Sequence, residues 1–296
     1  MPHNMNVGYG RNWLQTIMSK YPAHGKSYFV AKTGTVPYNQ IAQILIPDGD
    51  GDVRLFGTIE AAITAVNADI NWSNSPWANG DVIYILPGTY AENLTALPHG
   101  CAMIGIGDDI RDGQYGVVIQ PASGDPVDVS AWINGYMENI GFISSSTNPA
   151  FDAAILNNCK LVNCFFSGAA ESTTATEAFV TNDCVKTTLK DCWAANATIG
   201  FRFEYVDGGD SISYLWMENC RSTYIATSGI YTSTNLVGPH SIVQDCQFMG
   251  SGQTTTKQID DNSSIFDFVR CSAEGTTATE GGRSYNGCYG NGALVT

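Results

Sequence analysis

A short apolar–polar run that ends in cysteine recurs at nearly fixed spacing in the second half of this 296-residue chain. The copies end at Cys164, Cys192, Cys220, Cys246 and Cys271. The steps between them are 28, 28, 26 and 25 residues, and Ile140 occupies the same slot 24 residues before the first cysteine. A period in the twenties with one strand-like run per repeat is typical of a solenoid of stacked coils.

Apolar and polar residues alternate within each repeat, as in residues 161–166 (LVNCFF) and 241–248 (SIVQDCQF). Such alternation favours a short strand with one buried face. Because one coil cannot bury its own apolar face, successive coils must stack. We therefore predict an all-β fold, a right-handed single-stranded parallel β-helix with coils of roughly 24–28 residues and an N-terminal capping helix.

Stacking places the repeated cysteines in one internal column, the structural ladder, where a free thiol behaves as a small apolar side chain. The preceding Asn or Asp either caps turn amides or stacks in a polar ladder of its own. The chain has nine cysteines. Neighbours in such a column have the option of pairing, but free buried thiols are the simpler prediction and suit assembly in a reducing cytoplasm.

Composition narrows the classes of partner. Charged residues make up only 14% of the chain and the net charge is −14. This charge argues against binding nucleic acid through its phosphates. It also disfavours a polyanionic polysaccharide unless a metal ion intervenes. The sequence contains neither a signal-peptide pattern nor an apolar run long enough for a membrane span, so we expect no membrane association.

Three regions follow along the chain. Residues 1–26 form an N-terminal arm, residues 27–80 hold N-terminal strands and the capping helix, and residues 81–296 form the β-helix with a Gly-rich tail. The arm carries an apolar stripe that is suited to anchoring on a partner subunit; the alternative is a frayed terminus. The stripe consists of Trp13, Leu14, Ile17 and Met18.

The segment before the first coil contains one clear helix. Residues 27–31 and 41–46 are strand candidates, whereas residues 58–68 have helical periodicity with Thr58 as the N-cap. The apolar stripe of this helix is Ile59, Ala62, Ile63 and Val66. A helix at this position would cover the open end of the solenoid, which otherwise exposes core and an unpaired strand edge.

The specific motifs lie in this same part of the chain. Residues 56–66 (FGTIEAAITAV) followed by 80–94 (GDVIYILPGTYAENL) resemble the opening of pectin-lyase-like β-helix proteins. That superfamily includes pectate lyases, pectinesterases, polygalacturonases and phage tailspikes. With residues 27–32 (SYFVAK) and 47–63, the combination looks like β-helix proteins encoded among the virion genes of tailed bacteriophages. The resemblance implies the fold and a place in a virion, but the fold hosts enzymes and structural proteins alike.

The catalytic sets of those enzyme families are not found in the sequence. Polygalacturonases combine Asn-Thr-Asp, Asp-Asp, His-Gly and Arg-x-Lys, whereas this chain has His99-Gly100 without Asn-Thr-Asp or Arg-x-Lys. Glycoside hydrolysis needs two carboxylates across a groove. If the chain is an enzyme, the best candidates are Asp207, Asp210 and Glu218, near Glu204; the alternative is a solvated acidic turn.

A metal site and an aromatic surface remain as weaker candidates. Asp48, Asp50 and Asp52 alternate as in a calcium loop, but Gly at the sixth position and Glu at the twelfth are missing. We expect an Asp/Gly turn and no cofactor, with structural calcium as the alternative. The aromatic residues are Trp132, Trp193, Trp216, Tyr205, Tyr214 and Tyr224. They suit sugar stacking, a trimer interface or packing between coils.

These observations leave three hypotheses. The first is a structural protein of a tailed-phage virion, a head decoration or surface spike attached through its arm. Its partners would be capsid or other virion proteins, it would form homo-oligomers with a trimer favoured, and it would be made in the host bacterial cytoplasm. The second is a tailspike-like depolymerase of a host surface glycan, and the third is a host-glycan binding protein without hydrolysis.

Overall fold

The structure is a computed structural model, and it describes residues 25–44, 54–69, 80–107, 109–111, 113, 116–168, 175–204, 211–234, 238, 241–250, 258–263, 265–273, 284–290 and 293–294. Within these ranges, the two helices are α1 (Val36–Ile44) and α2 (Ile59–Asp69). Neither of these helices is long and apolar enough to cross a membrane.

Strands make up most of the described chain. They are β1 (Ser27–Val30), β2 (Leu55–Phe56), β3 (Val82–Ile85), β4 (Gly88–Tyr90), β5 (Ala102–Gly105), β6 (Val117–Ile119), β7 (Asp128–Val129), β8 (Trp132–Ile133), β9 (Tyr136–Glu138), β10 (Ile140–Ser144), β11 (Phe151–Asn157), β12 (Lys160–Val162), β13 (Phe165–Gly168), β14 (Ala175–Val185), β15 (Thr188–Lys190), β16 (Trp193–Phe203), β17 (Ile212–Ser213), β18 (Trp216–Glu218), β19 (Arg221–Thr232), β20 (Ser241–Gln244), β21 (Gln247–Gly250), β22 (Ile259–Asp261), β23 (Phe266–Val269), β24 (Ser272–Ala273), β25 (Ser284–Asn286), β26 (Tyr289–Gly290) and β27 (Ala293–Leu294).

The strands form three faces of a solenoid. Face A is an 11-stranded sheet in the order β2-β1-β3-β5-β9-β12-β15-β18-β20-β23-β25. The other strands form a 16-stranded sheet that bends into two faces. Face B contains β4, β6, β10, β13, β21, β24, β26, β27 and the first halves of β16 and β19. Face C contains β7, β8, β11, β14, β17, β22 and the second halves of β16 and β19. Among the described strands, pairing is parallel except where β27 folds back on β26. The predicted all-β parallel β-helix is confirmed.

Single residues with positive φ turn the chain at the three corners between these faces. All twelve non-glycine residues of this kind lie at corners. Corner AB has Asn139, Asn163, Asp191, Asn219, Asp245 and Arg270; corner BC has Asn196 and Tyr224; corner CA has Asn134, Asn158, Lys186 and Tyr214. Apart from glycine, Asn and Asp adopt this left-handed conformation most readily. The Asn or Asp before each repeated cysteine is therefore the residue that makes the turn.

Corner AB is held by two hydrogen-bonded ladders. In the backbone ladder, the Asn163 amide donates to the Lys190 carbonyl at 2.9 Å, and the other coils repeat this bond. In the side-chain ladder, Asn163 Nδ2 donates to Asn139 Oδ1 at 2.6 Å. Asn219 Nδ2 donates to Asp191 Oδ1 at 2.5 Å in the same way. Each turn residue therefore satisfies polar groups of a neighbouring coil.

The interior is filled by aromatic rings and thiols. Phe142, Phe151, Phe166 and Phe179 are fully buried, and their ring centroids lie 5.3–5.7 Å apart. All nine cysteines are free and buried. Six of them follow the turn residue of corner AB: Cys164, Cys192, Cys220, Cys246, Cys271 and Cys288. The register of the preceding strands stacks these six in one column.

The N-terminal end is closed by α2. Its apolar residues, including Ile59 and Val66, are buried in the core of the solenoid. Thr58 Oγ1 accepts from the Ala61 amide at 3.3 Å, as an N-cap does. Glu92, which follows β4, adds a second cap, because its carboxylate accepts from the amides of Ile59 and Glu60 at 3.0 and 2.9 Å. The first coil is thereby tied to the helix that covers it.

The strand expected at residues 41–46 is wrong, because residues up to Ile44 belong to α1. Thr35 Oγ1 accepts from the Tyr38 amide at 3.4 Å and caps the helix. Tyr38 and Ile41, three residues apart, pack on the outer side of face A beside Phe29 and Tyr84. A short apolar run does not distinguish a strand from a buried helix, and here the cap upstream decides.

Candidate functional site

Five carboxyl groups and one arginine gather on face C. They are Asp125, Asp128, Asp152, Glu177, Glu204 and Arg202, and we call them the acidic cluster. Asp128 on β7 and Asp152 on β11 are in register on neighbouring coils. Asp152 is in turn in register with Val180 on β14, and Val180 with Arg202 on β16. The cluster therefore extends over four successive coils.

Arg202 bridges two of the carboxylates. Its guanidinium group forms hydrogen-bonded ion pairs with Glu177 and with Glu204. Glu177 is only 7% exposed, so the pair with Arg202 offsets the cost of burying its charge. The guanidinium carbon of Arg202 also lies 5.6 Å from the ring centroid of Tyr231 on the next coil. One arginine thus serves one end of the cluster and leaves the other end to carboxyl groups.

Asp152 is the group most affected by this crowding. Burial raises the pKa of Asp152 to about 6, and the charges of Asp128, Asp125, Glu177 and Glu204 raise it further. Burial and the charge of Asp128 also raise the pKa of Asp125, while a hydrogen bond from Asn148 acts in the opposite direction. Carboxyl groups shifted upward beside other carboxylates are a recurring property of catalytic sites.

This arrangement is suited to proton transfer. A carboxyl group with a pKa near 6 retains its proton at mildly acidic pH and is able to donate it. Asp128 and Asp152 project from adjacent strands, whose spacing is about 4.8 Å. That backbone spacing is compatible with the separation of about 5 Å between the two carboxyl groups of retaining glycosidases.

The sequence candidates for catalysis are not brought together by the described residues. Glu218 lies on β18 in face A, where its carboxylate pairs with Lys190 Nζ at 3.1 Å. Glu204, its neighbour in sequence, lies on the opposite side of the coil in the acidic cluster. Asp207 and Asp210 lie outside the described residues. Within the described part of the chain, Glu218 therefore forms a surface ion pair.

The anchor and calcium candidates also lie outside the described residues. These are Trp13, Leu14, Ile17 and Met18 of the arm and Asp48, Asp50 and Asp52 of the turn. In the ranges that the structure covers, no group of three or more His, Cys, Asp or Glu residues is arranged to hold a metal ion.

The aromatic candidates separate into buried and exposed groups. Trp132 is fully buried, and its indole Nε1 donates to the Pro98 carbonyl at 2.9 Å. Trp216 on face A is 41% exposed, and Tyr214 and Tyr224 are each 52% exposed. Trp193 on face B is partly buried, and Tyr205 lies outside the described residues. The six aromatic residues therefore do not form one continuous strip.

Comparison with known proteins leaves the chain without an assigned family, because no protein-family model matches the sequence and no curated protein is detectably similar to it.

Sequence reasoning missed most of the acidic cluster. A usable signal was present, because Asp128 precedes Asp152 by 24 residues and Glu177 precedes Arg202 by 25, which is one coil in each case. Charged residues one coil apart lie above one another in a parallel solenoid. Searching for any charged pair at the repeat spacing, and not only for identical residues, would have found these two pairs.

Proposed function

We propose that this chain is a structural protein of a tailed-phage particle, a head decoration or surface spike whose β-helix is attached through an N-terminal arm. The proposal starts from the resemblance of residues 27–32, 47–63 and 80–94 to β-helix proteins encoded among virion genes. It depends most on how the chain enters the fold.

The observation that carries the proposal is the position of the entry point. The amide of Gly25 donates to the carbonyl of Gly80 at 3.1 Å, and the amide of Lys26 donates to Asp81 Oδ1 at 2.6 Å. β1 follows at once and lies between β2 and β3 at the start of face A. Residues 1–24 thus join the rod at the end that α2 closes, where an arm with an apolar stripe would attach the rod to a particle.

Two further features support this role. A closed end has its core covered by a helix, so the arm and not a bare sheet edge is available for attachment. The nine free, buried thiols suit a protein that folds and assembles in the reducing cytoplasm of a host cell. We expect the assembled form to be a homo-oligomer, with a trimer favoured.

The test is attachment to particles that lack this chain. Full-length protein should co-sediment with such particles, whereas the double variant Leu14→Asp, Met18→Asp should remain in the supernatant. Trp216→Asp is the matched control, because it also places a carboxylate at an apolar surface site, but on face A. Unchanged thermal melting of all three proteins would show that the rod remains folded. Equal attachment of the arm variant and the control would contradict the proposal, and light scattering after size-exclusion chromatography would test the trimer.

The acidic cluster favours a second candidate function, cleavage of a host surface glycan. In this function Asp152 donates a proton to the glycosidic oxygen, and a neighbouring carboxylate, Asp128, attacks or stabilises the sugar. The supporting observation is the raised pKa of Asp152 beside other carboxylates on an outer face of the rod. The same groups would bind the glycan without cleaving it if the chain is a binding protein.

Release of new reducing ends from host surface polysaccharide separates these possibilities. For an enzyme, Asp152→Asn should abolish turnover while retention of the polysaccharide on a column continues. Glu218→Gln, which changes a carboxylate on face A, is the matched control and should retain full turnover. A wild-type chain that releases no reducing ends would rule out hydrolysis and leave the structural role in place.

A further inference from the structure

Tyr224 occupies a corner position that disfavours its side chain. Its φ is 55°, and the equivalent corner residue on the preceding coil is Asn196, with φ 52°. Asn tolerates this conformation, whereas a bulky aromatic residue there costs free energy of order 1 kcal/mol. The ring gains little burial in return, because Tyr224 is 52% exposed. Strained residues that are not compensated by packing are characteristic of binding sites.

Next to this tyrosine, face B has an aromatic surface with two arginines. The guanidinium carbons of Arg221 and Arg111 lie 4.0 and 5.4 Å from the ring centroid of Trp193. Trp193 is held in place, because its Nε1 donates to Thr223 Oγ1 at 2.7 Å and its ring lies 4.9 Å from that of Phe165. Thr223 directly precedes Tyr224, so the indole edge and the exposed tyrosine are neighbours.

The charges of these two arginines are not equivalent. Arg111 pairs with Asp109, with its Nε 3.0 Å from Oδ1. Arg221 is exposed, and within the described residues it has no carboxylate partner. In a chain of net charge −14, an unpaired guanidinium stacked on an indole is a local positive site. An anion that reaches Arg221 would form the charge-assisted hydrogen bonds that Arg221 lacks.

We propose that Trp193, Arg221 and Tyr224 bind a glycan that carries an isolated carboxylated sugar. The apolar face of a sugar ring stacks on the aromatic side chains, and its carboxylate pairs with Arg221. The net charge of the chain repels a continuous polyanion, so the fitting ligand has one acidic sugar among neutral ones. This site lies on face B, is separate from the acidic cluster, and does not depend on the attachment role.

The experiment measures binding of three oligosaccharides that each contain one carboxylated sugar: sialyllactose, a glucuronic-acid-substituted xylooligosaccharide and a trisaccharide with one galacturonic acid. The carboxyl-reduced form of each is the neutral match. Titration calorimetry on the full chain should detect at least one acidic probe and bind its reduced form about tenfold more weakly or less. Failure of all three acidic probes, or equal binding of the reduced forms, would overturn the proposal.

Matched variants connect the binding to these residues. Arg221→Gln should weaken binding about tenfold or more. Tyr224→Asn should also weaken binding while the melting temperature stays constant or rises, because Asn is the residue that the preceding coil uses at this corner. Arg270→Gln and Tyr214→Asn make the same chemical changes at corners AB and CA, and both should bind as the wild type does. Full affinity in Arg221→Gln and Tyr224→Asn would also overturn the proposal.

Discussion

Corner AB and face C, with the corners that flank it, solve the same folding problem in different ways. At corner AB, the turn positions hold mostly Asn and Asp, whose side chains bond to the coil before or after. Around face C, exposed tyrosines occupy two turn positions and carboxyl groups crowd on neighbouring coils. Local preference and global fold agree in the first region and conflict in the second. Such conflict in an otherwise consistent sequence is expected where function, and not folding, selects the residue.

Breaking corner AB should have the largest effect. Asn219→Val places a β-branched residue at φ 52° and removes the hydrogen bond to Asp191, so we expect a loss of roughly 2–3 kcal/mol in the free energy of unfolding. Asn219→Gly is the matched control, since it keeps the turn and loses only the hydrogen bond. Urea denaturation measures both variants. Equal stability of the two would mean that backbone conformation at this corner contributes little.

Relieving the acidic cluster should stabilise the protein. The folded-state pKa of Asp152 is about 6, above the unfolded value near 4. The folded state therefore holds this proton more tightly, and stability falls as pH rises from about 4 to 6. Asp152→Asn removes the charge, and at pH 7 it should gain on the order of 2 kcal/mol.

Urea denaturation at several pH values tests this expectation. The difference between Asp152→Asn and the wild type should shrink toward zero below pH 4, where both side chains are neutral. A variant that is less stable than the wild type at pH 7 would mean that the Asp152 carboxylate has favourable partners that outweigh its repulsion.

The tyrosine at corner CA offers a smaller gain. Asn134 and Asn158 hold the equivalent positions on earlier coils, and Asn158 Nδ2 donates to Asn134 Oδ1 at 2.7 Å. Tyr214→Asn should raise the free energy of unfolding by about 0.5–1 kcal/mol because Asn fits φ 57° with less strain. Thermal melting checks this, with Tyr231→Asn as the control, since Tyr231 lies within β19. Destabilisation by Tyr214→Asn would mean that the exposed ring makes contacts worth more than the strain.

The difference between these regions also decides how much was predictable. The fold followed from one repeated residue type, because identical residues at a fixed period stack in a solenoid, as Cys164 and Cys192 do. The acidic cluster has no such signature. Its column runs through Asp128, Asp152, Val180 and Arg202, which share a slot but not a chemistry. A slot filled by different residues gives no periodic signal, so function was hidden where the repeat was least regular.

The smallest expected effect concerns Glu218, the sequence candidate that the structure places on face A. Its pair with Lys190 is exposed, and exposed ion pairs contribute little because water screens them and two long side chains must be ordered. Glu218→Gln should therefore leave the urea midpoint unchanged between pH 5 and 8. It should also leave intact any glycan cleavage that Asp152→Asn abolishes. If instead Glu218→Gln removed turnover while Asp152→Asn did not, the chemistry would belong to face A, and the contrast between the ordered corner and the crowded face would no longer locate function.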